Sequence, residues 1–580
     1  MTSPSDKLET PRLDRGKDQA APPSFLANAV RSGSAAAGFV AAGYLLLHVI
    51  SLVASPLLSS FANDEYINYY LAARNFNTYG FAASTFLQDF STSSSPDEHP
   101  FVYDHMAAGP EITTALLTRV AGENYRAVRF FFAAWFLIGL YCYFRVASML
   151  FAGLGLGGAG YALLLLDPLA VMHVIDHPGH ASFPFFAFYP LLALNAWRET
   201  GKHRFLAAAC AAVMASTFFL AYQLVVLNMV GCCMLWILQL LPLKKLDLAA
   251  VLLAMTVGVG LHVGQNVWHL GLSVAIRELA LTFSNRATGY PTGPDLVAFY
   301  QSINVVHHGV HTLRPTGLLI TFLHCVNFRV IKGLFVIALA FLVGKAVLWA
   351  VERGTRTPDQ SPAPRGPIVL VKLAGWVLPS ILMPLLLFPA YSVDYNLQGN
   401  GHFFGALLGL GVVLVVYQNL LATSRSPMTS KLALGLLGLA VVPFMVRQGS
   451  GVHDAYVKAS ADKFRNLNQI QKNASQKVTM TNMYPAVVGF FTHEKVFGVA
   501  EMESFPNEHP PDPNAAYSKF IVNWQPSTDC RPSHYIHSRD LPGFGKSVNR
   551  EYNERLRAHI AARHRIIYED NQLTIFELIW

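Results

Sequence analysis

Charged residues are scarce in this sequence. Asp, Glu, Lys and Arg together make up 13% of the 580 residues, and hydrophobic residues make up 53%. Soluble domains carry about 25% charged residues, so the composition excludes an ordinary soluble protein. Apolar runs of about 20 residues recur along the chain and predict a polytopic α-helical membrane protein.

Cysteine motifs and several catalytic motifs are missing as well. The six cysteines form no CxxC pair, which argues against a metal site built on thiolates. No HExxH motif is present, which argues against a zinc hydrolase. The polar, proline-rich N-terminus lacks the charged-then-apolar pattern of a signal peptide, and we interpret residues 1–33 as a disordered cytoplasmic tail.

About eleven apolar runs are long enough, or nearly so, to cross a membrane as helices. Seven of them precede a long polar break, and four follow it. They are Ala36–Leu58, Ala127–Phe151, Gly155–His173, Ala181–Trp197, Phe205–Leu220, Tyr222–Leu241, Leu248–Trp268, Val330–Ala350, Ile368–Ala390, Phe403–Ala422 and Leu432–Val446.

The basic residues lie mainly in alternate loops between these runs. If the N-terminal tail is cytoplasmic, the inner loops contain Arg198, Lys244 and Arg353, whereas short outer loops carry the acids Asp176 and Asp394. This positive-inside pattern accounts for the net charge of +8 without a nucleic-acid partner. Because the number of spans is odd, the two termini are expected on opposite sides of the membrane.

Three longer polar segments then lie outside the cell membrane: loop 59–126, loop 269–329 and residues 449–580. We predict a transmembrane domain over residues 34–448 and an extracytoplasmic α/β domain over residues 449–580. In that domain we expect a polar helix at 453–473 and a strand, a turn and a helix start in KVTMTNMYPAVVGFFT. Short strands are expected in KVFGV and KFIVNW, and a hairpin in HRIIYEDNQLTIFELIW. The domain could bind the acceptor, cover the site or act as a spacer.

Two adjacent acids, Asp64 and Glu65, follow the first predicted span. Acids that simply end a span at the interface are common. Here, however, tyrosines follow, then Ala73–Arg74 and Gly80, and helical spacing puts Tyr70 and Arg74 on one face. The segment is therefore more specific than an ordinary interfacial charge pair.

This pattern resembles the start of the GT-C class of glycosyltransferases, especially the branch containing protein O-mannosyltransferases and lipid A aminoarabinose transferases. Members read roughly DE-x-x-Y, then A-R, then G, which Asp64, Glu65, Tyr69 or Tyr70, Ala73–Arg74 and Gly80 match. The order of two long outer loops and an outer C-terminal domain is similar too. The HPP-like stretch of that branch corresponds to His99–Pro100 or Asp104–His105, although the proline doublet is absent here.

The resemblance implies an enzyme that takes a sugar from a polyprenyl-phosphate donor and passes it to a lipid, glycan or protein acceptor at the outer membrane interface. Asp64 would act as the base in an inverting displacement, with Glu65 as its helper. A divalent cation, Mg²⁺ or Mn²⁺, could join at Asp64, as in the oligosaccharyltransferases of the class, whereas the mannosyl and aminoarabinose branch does without one.

The leaving phosphate needs cationic or hydrogen-bond-donating groups. Candidates are Arg74 and, in the second outer loop, His307, His308, His311 and Arg314. His307 and His311 have i,i+4 spacing, so a metal site or a plain interfacial helix are alternatives. Further candidate substrate contacts are Tyr70, His99, Asp104, His105, Asp176, His177 and His180.

Two other classes stay open. A polymerase or ligase of lipid-linked polysaccharides would depend mainly on arginines in the outer loops. A transporter or flippase of lipid-linked sugars is disfavoured by the odd span count and by the scarcity of acids within the spans, of which Asp167 is the main one. Compact outer loops and the absence of retrieval motifs favour a bacterial inner membrane as the location, whereas the triplet Asn473-Ala474-Ser475 leaves the endoplasmic reticulum as an alternative.

Overall fold

The computed structural model describes the predicted first outer loop, one apolar helix with its continuation, and part of the C-terminal segment. The described residues are 66–92, 102–103, 107–134, 244–288, 468–483, 485–498, 532–539 and 557–579, with isolated positions between 206 and 237 and at 554. Seven of the predicted spans lie outside them: Ala36–Leu58, Gly155–His173, Ala181–Trp197, Val330–Ala350, Ile368–Ala390, Phe403–Ala422 and Leu432–Val446.

The described elements follow one another from a helical first loop to a C-terminal sheet. In chain order they are α1 (Tyr66–Tyr79), β1 (Gln88–Asp89), β2 (Val102–Tyr103), α2 (Gly109–Ala121), α3 (Lys245–Leu270), α4 (Leu272–Thr288), β3 (Thr479–Thr481), α5 (Pro485–Thr492), β4 (Val496–Gly498), β5 (His534–Ser538), β6 (Arg565–Glu569) and β7 (Leu573–Glu577). Residues 125–134 and 468–474 are also helical.

Among the described residues, α3 is the one helix long and apolar enough to cross a membrane. It contains the predicted span Leu248–Trp268. Its buried residues recur at helical spacing, while Leu253, Val257 and Leu261 are exposed on another side. An exposed apolar face of this kind is what a bilayer would cover. The first turn carries Asp247, whose carboxylate accepts a hydrogen bond from the backbone N–H of Lys244 at 3.2 Å.

The change from α3 to α4 occurs at a single glycine. Gly271 has φ +81°, a conformation that favours glycine, and its N–H donates to the carbonyl of Val267 at 2.9 Å. The helix therefore ends at Leu270, and a new helix begins directly at Leu272. The predicted second outer loop begins here, and the rest of that loop beyond Thr288 lies outside the described residues.

Helices α1 and α2 pack against each other through small and aromatic side chains. Ala73, Phe76, Ala108 and Ala115 are buried together, with Phe81 and Ile112 against them. Small residues let the two backbones approach closely, and Asn77 reaches across to donate to the carbonyl of Ala115 at 3.1 Å. The predicted first outer loop thus contains two packed helices.

The C-terminal segment contains a five-stranded mixed sheet with the order β4-β3-β5-β7-β6. Strand β3 pairs in parallel with both β4 and β5, whereas β7 pairs in antiparallel with β5 and β6. The strand and helix start predicted around Pro485, the strand in KVFGV and the terminal hairpin are all confirmed. The predicted strand in KFIVNW and the domain boundary near residue 449 lie outside the described residues.

Candidate active site at the first outer loop

Two of the predicted site residues, Tyr70 and Arg74, lie in the described part of the chain, both on α1. The acid pair, Asp64 and Glu65, comes immediately before α1 and lies outside the described part. The remaining predicted site residues lie outside it too: His99, Asp104, His105, Asp176, His177, His180, His307, His308, His311 and Arg314. Their roles therefore stay predictions.

Arg74 is bound on two sides by other parts of the protein. Its Nε donates to Oε1 of Glu123 at 3.1 Å, and one terminal nitrogen donates to the backbone carbonyl of Phe490 at 2.8 Å. The guanidinium carbon also lies 4.2 Å from the centre of the Phe490 ring, within the range of a cation–π contact. Its predicted role as a phosphate contact stays a prediction.

Aromatic rings complete this contact. The rings of Tyr70 and Tyr125 meet edge-on with centroids 4.7 Å apart, and Tyr125 lies 5.4 Å from Phe490. The hydroxyl of Tyr125 donates to Oε2 of Glu123 at 3.0 Å. We call Tyr70, Arg74, Glu123, Tyr125 and Phe490 the Arg74 cluster. It joins α1 to α5, so the first loop and the C-terminal sheet are in direct contact.

The electrostatics of the Arg74 cluster keep its charges paired. Burial alone would raise the pKa of Glu123, but the Arg74 charge and the hydrogen bonds from Arg74 and Tyr125 lower it below its ordinary value. Burial, followed by the charge of Glu123, raises the pKa of Tyr125. At neutral pH the cluster therefore contains a carboxylate, a guanidinium and a neutral phenol.

A second contact lies at the other end of the same interface. The backbone N–H of Val496 donates to Oγ1 of Thr92 at 3.1 Å, and that hydroxyl lies 3.2 Å from the carbonyl of Val496. Asn75 of α1 fixes the preceding turn, because its amide donates to the carbonyls of Asp89 and Ser91, both at 2.9 Å. Helix α1 thus holds the turn that reaches β4.

The same turn lies near the end of the apolar helix α3. Burial raises the pKa of Asp89, and the hydrogen bonds from Ser91 and the charge of His269 act in the opposite direction. His269 is in the last turn of α3. The end of α3 therefore lies within electrostatic reach of the first loop.

One buried carboxyl group of the first loop was not assigned a role by the sequence. Glu111, in the first turn of α2, is 1% exposed, and its Oε2 has no hydrogen-bond partner among the described residues. Burial raises its pKa to about 8. The described residues contain no group of three or more His, Cys, Asp or Glu side chains that could hold a metal ion. The cation considered at Asp64 lies outside them.

No family model matches the sequence, and no curated protein matches it. Among solved structures, the chain is similar to ArnT from Cupriavidus metallidurans bound to undecaprenyl phosphate, with 13% identity, 92% of this chain and 96% of that chain covered, and a TM-score of 0.47. ArnT of the same organism in the apo state has 13% identity, covers 93% and 98%, and gives a TM-score of 0.39.

These solved structures are of the lipid A aminoarabinose transferase, a GT-C protein, so they belong to the branch that the motif at Asp64–Glu65 resembles. At this identity and TM-score the likeness assigns no role to any individual residue of this chain.

Proposed function

We propose that this protein is a membrane glycosyltransferase that transfers a sugar from a polyprenyl-phosphate donor to a lipid, glycan or protein acceptor at the outer membrane interface. The observation that carries the proposal is the place of the first loop. It lies within electrostatic reach of His269 at the end of α3, and the helix that directly continues from Asp64 and Glu65 is packed against α2 and α5.

The geometry suits a donor that is divided between two solvents. The polyprenyl tail requires lipid, whereas the phosphate and sugar require an interface with hydrogen-bond donors. An acid at the end of membrane helices could reach the acceptor hydroxyl that attacks the anomeric carbon without entering the bilayer. This supports Asp64 as the base that takes the acceptor proton while the glycosidic bond forms, and a single displacement would invert the anomeric centre.

The second acid and the leaving group complete the reaction scheme. Two neighbouring carboxylates repel each other, which raises the pKa of one of them and suits it to accept a proton. Glu65 is therefore proposed to tune and orient Asp64. The leaving phosphate would be stabilised by donors from His307, His308, His311 and Arg314.

Replacing Asp64 by Asn tests the proposal. The variant keeps the size of the side chain but cannot accept the proton, so transfer from a polyprenyl-phosphate sugar should fall roughly 10²- to 10⁴-fold. The measurement is product formation by purified protein in lipid nanodiscs. Asp97→Asn, an acid of the same loop outside the motif, is the matched control and should retain activity.

The outcome also separates the proposal from its alternative. Undiminished transfer by the Asp64→Asn variant, together with loss of activity in Arg314→Ala, would contradict the base assignment and favour a polymerase. Assays after chelation, with Mg²⁺ or Mn²⁺ then added back, decide whether a divalent cation takes part.

A further inference from the structure

We propose that Arg74 is a positioning residue. It binds the helix that follows the acid pair to the C-terminal sheet, and sugar transfer depends on this docking. The catalytic part of the inference rests on the proposed function, whereas the docking part stands without it. The role differs from direct contact with the donor phosphate, and the two roles give different experimental results.

The first argument is that the donors of Arg74 are already used within the protein. The guanidinium binds Glu123 through Nε and, at 3.5 Å, through a terminal nitrogen, and its other terminal nitrogen binds the carbonyl of Phe490. The side chain of Arg74 is 17% exposed, and that of Glu123 is 53% exposed. A phosphate approaching Arg74 would have to displace a carboxylate and a carbonyl and would meet the negative charge of Glu123.

The second argument is that two separate contacts, the Arg74 cluster and Thr92, join the first loop to the C-terminal segment, and both are held by α1. The Arg74 cluster holds the helix face of α1 against α5. The hydroxyl of Thr92 binds the backbone N–H and carbonyl of Val496 in β4. Asn75 of α1 holds the turn that precedes Thr92. Two anchors fix the rotation of α1 relative to the sheet as well as its distance, which a single contact would not do.

The third argument is that a movement of α1 at Arg74 would also displace the acid pair that precedes the helix. Helix α1 begins at Tyr66, the residue after Glu65, and Arg74 lies eight positions after Tyr66, about 12 Å along the helix. A hydrogen-bonded helix moves as a stiff body. A shift or rotation of α1 at Arg74 is therefore transmitted to its N-terminal end, where Asp64 must be placed to within a fraction of an ångström for proton transfer.

The test uses the full-length chain and two variants that do not alter the arginine. Glu123→Ala removes the carboxylate that pairs with Arg74, and Phe490→Ala removes the ring beneath the guanidinium while keeping the backbone carbonyl that accepts its hydrogen bond. Both variants leave a cation for any phosphate. We expect kcat to fall roughly 10- to 100-fold with a smaller change in the KM for the donor, because misplacement of the base affects the chemical step. Arg74→Lys, which keeps the charge but loses the two-sided contact, should behave in the same way.

Hydrogen–deuterium exchange without substrate supplies the second measurement. The same variants should exchange faster in α1 and α5 and in the Val496 backbone, and unchanged exchange in β6 and β7 shows that the sheet has folded. The matched control is Arg565→Ala, which removes an exposed arginine paired with Glu577 at 2.5 Å in the same sheet. It should change neither kcat nor the exchange of α1.

The results that would overturn the inference are distinct. If Glu123→Ala and Phe490→Ala keep wild-type kcat and exchange, α1 does not depend on docking. If Arg74→Lys raises only the KM for the donor with normal exchange, Arg74 contacts the phosphate instead. If the wild-type chain transfers no sugar, the catalytic part fails with the proposed function, while exchange still decides the docking part.

Discussion

Glu111 shows how one side chain can make the stability of the first loop depend on pH. The carboxyl group is buried in the first turn of α2, and one of its oxygens has no hydrogen-bond partner in the part of the chain that the structure describes. Its pKa in the folded protein is about 8, whereas an unfolded glutamate titrates near 4.3. The folded state therefore holds the proton more tightly than the unfolded state does.

The sign of the effect follows from this difference. The contribution of protonated Glu111 to stability is fully present below about pH 4 and is lost as the pH rises towards 8, by an amount on the order of a few kcal/mol. Glu111→Gln keeps the shape of the protonated acid and cannot ionise. We expect the variant to unfold at a higher temperature than the wild type at pH 8, and at a similar temperature at about pH 4.

Thermal unfolding in a mild detergent over this pH range checks the prediction, with hydrogen exchange in α2 as the local readout. Glu577→Gln, a change at the partly exposed last residue of strand β7, serves as the control and should follow the wild-type profile. Parallel profiles for Glu111→Gln and the wild type would show that the carboxyl group does not stay protonated in the folded protein.

At the scale of elements, the docking of α5 against the first loop depends on a missing side chain. A Cβ atom added at Gly489 would lie 2.5 Å from Cγ2 and 2.8 Å from Cβ of Thr92. Alanine in place of glycine favours a helix by about 1 kcal/mol, but overpacking costs about 1–3 kcal/mol. We expect the clash to prevail, so Gly489→Ala should loosen the contact between Thr92 and β4.

Hydrogen exchange at Thr92 and Val496 measures this effect, and both segments should lose protection in Gly489→Ala. Gly264→Ala in α3 is the matched control, because no atom of the described residues lies within 4 Å of the added Cβ there. The control should be neutral or slightly stabilising. Retained protection in Gly489→Ala would mean that the Thr92 turn can move aside without cost.

The elements also show which parts of the fold local patterns can predict. The β6–β7 hairpin was predictable because the two runs suit strands and flank a turn at Asp570. Strand β5 was missed: it lies between β3 and β7, all five residues are buried, and His537 is among them with a pKa lowered by burial to about 3. In a hydrophobicity pattern a histidine counts as a polar residue, so the pattern does not indicate that His537 is buried in its neutral form.

The candidate site divides in the same way. The acid pair and Arg74 were found because they form a local motif close to a span. The partner of Arg74 was not found, because Phe490 is separated from it by 416 positions and lies in an apolar run typical of any core helix. Glu123 follows α2 without a motif. Contacts of this kind depend on the tertiary fold, which a single sequence does not specify by spacing.

At the scale of the whole molecule, the contacts restrict how the chain crosses the membrane. The first loop touches the C-terminal sheet, and Asp89 lies near His269 at the end of α3. All three must be on one side of the bilayer, so an even number of spans must separate them. The predicted spans meet this condition, with six between the first loop and His269 and four between His269 and the sheet.

The side on which these parts lie follows from the basic loops. Lys and Arg near span ends stay in the cytoplasm, so the first loop and the sheet should face outwards and the N-terminal tail inwards. A cysteine introduced at exposed Ser475 should react with a membrane-impermeant maleimide in intact cells. One introduced at Lys7 should react only after permeabilisation. Cys325 and Cys530 are both predicted to lie on the outer side of the membrane. They are replaced by Ser in both variants so that they do not react with the maleimide. The reverse labelling pattern would place Asp64 in the cytoplasm, away from an outer acceptor, and would contradict the proposed transferase together with the topology.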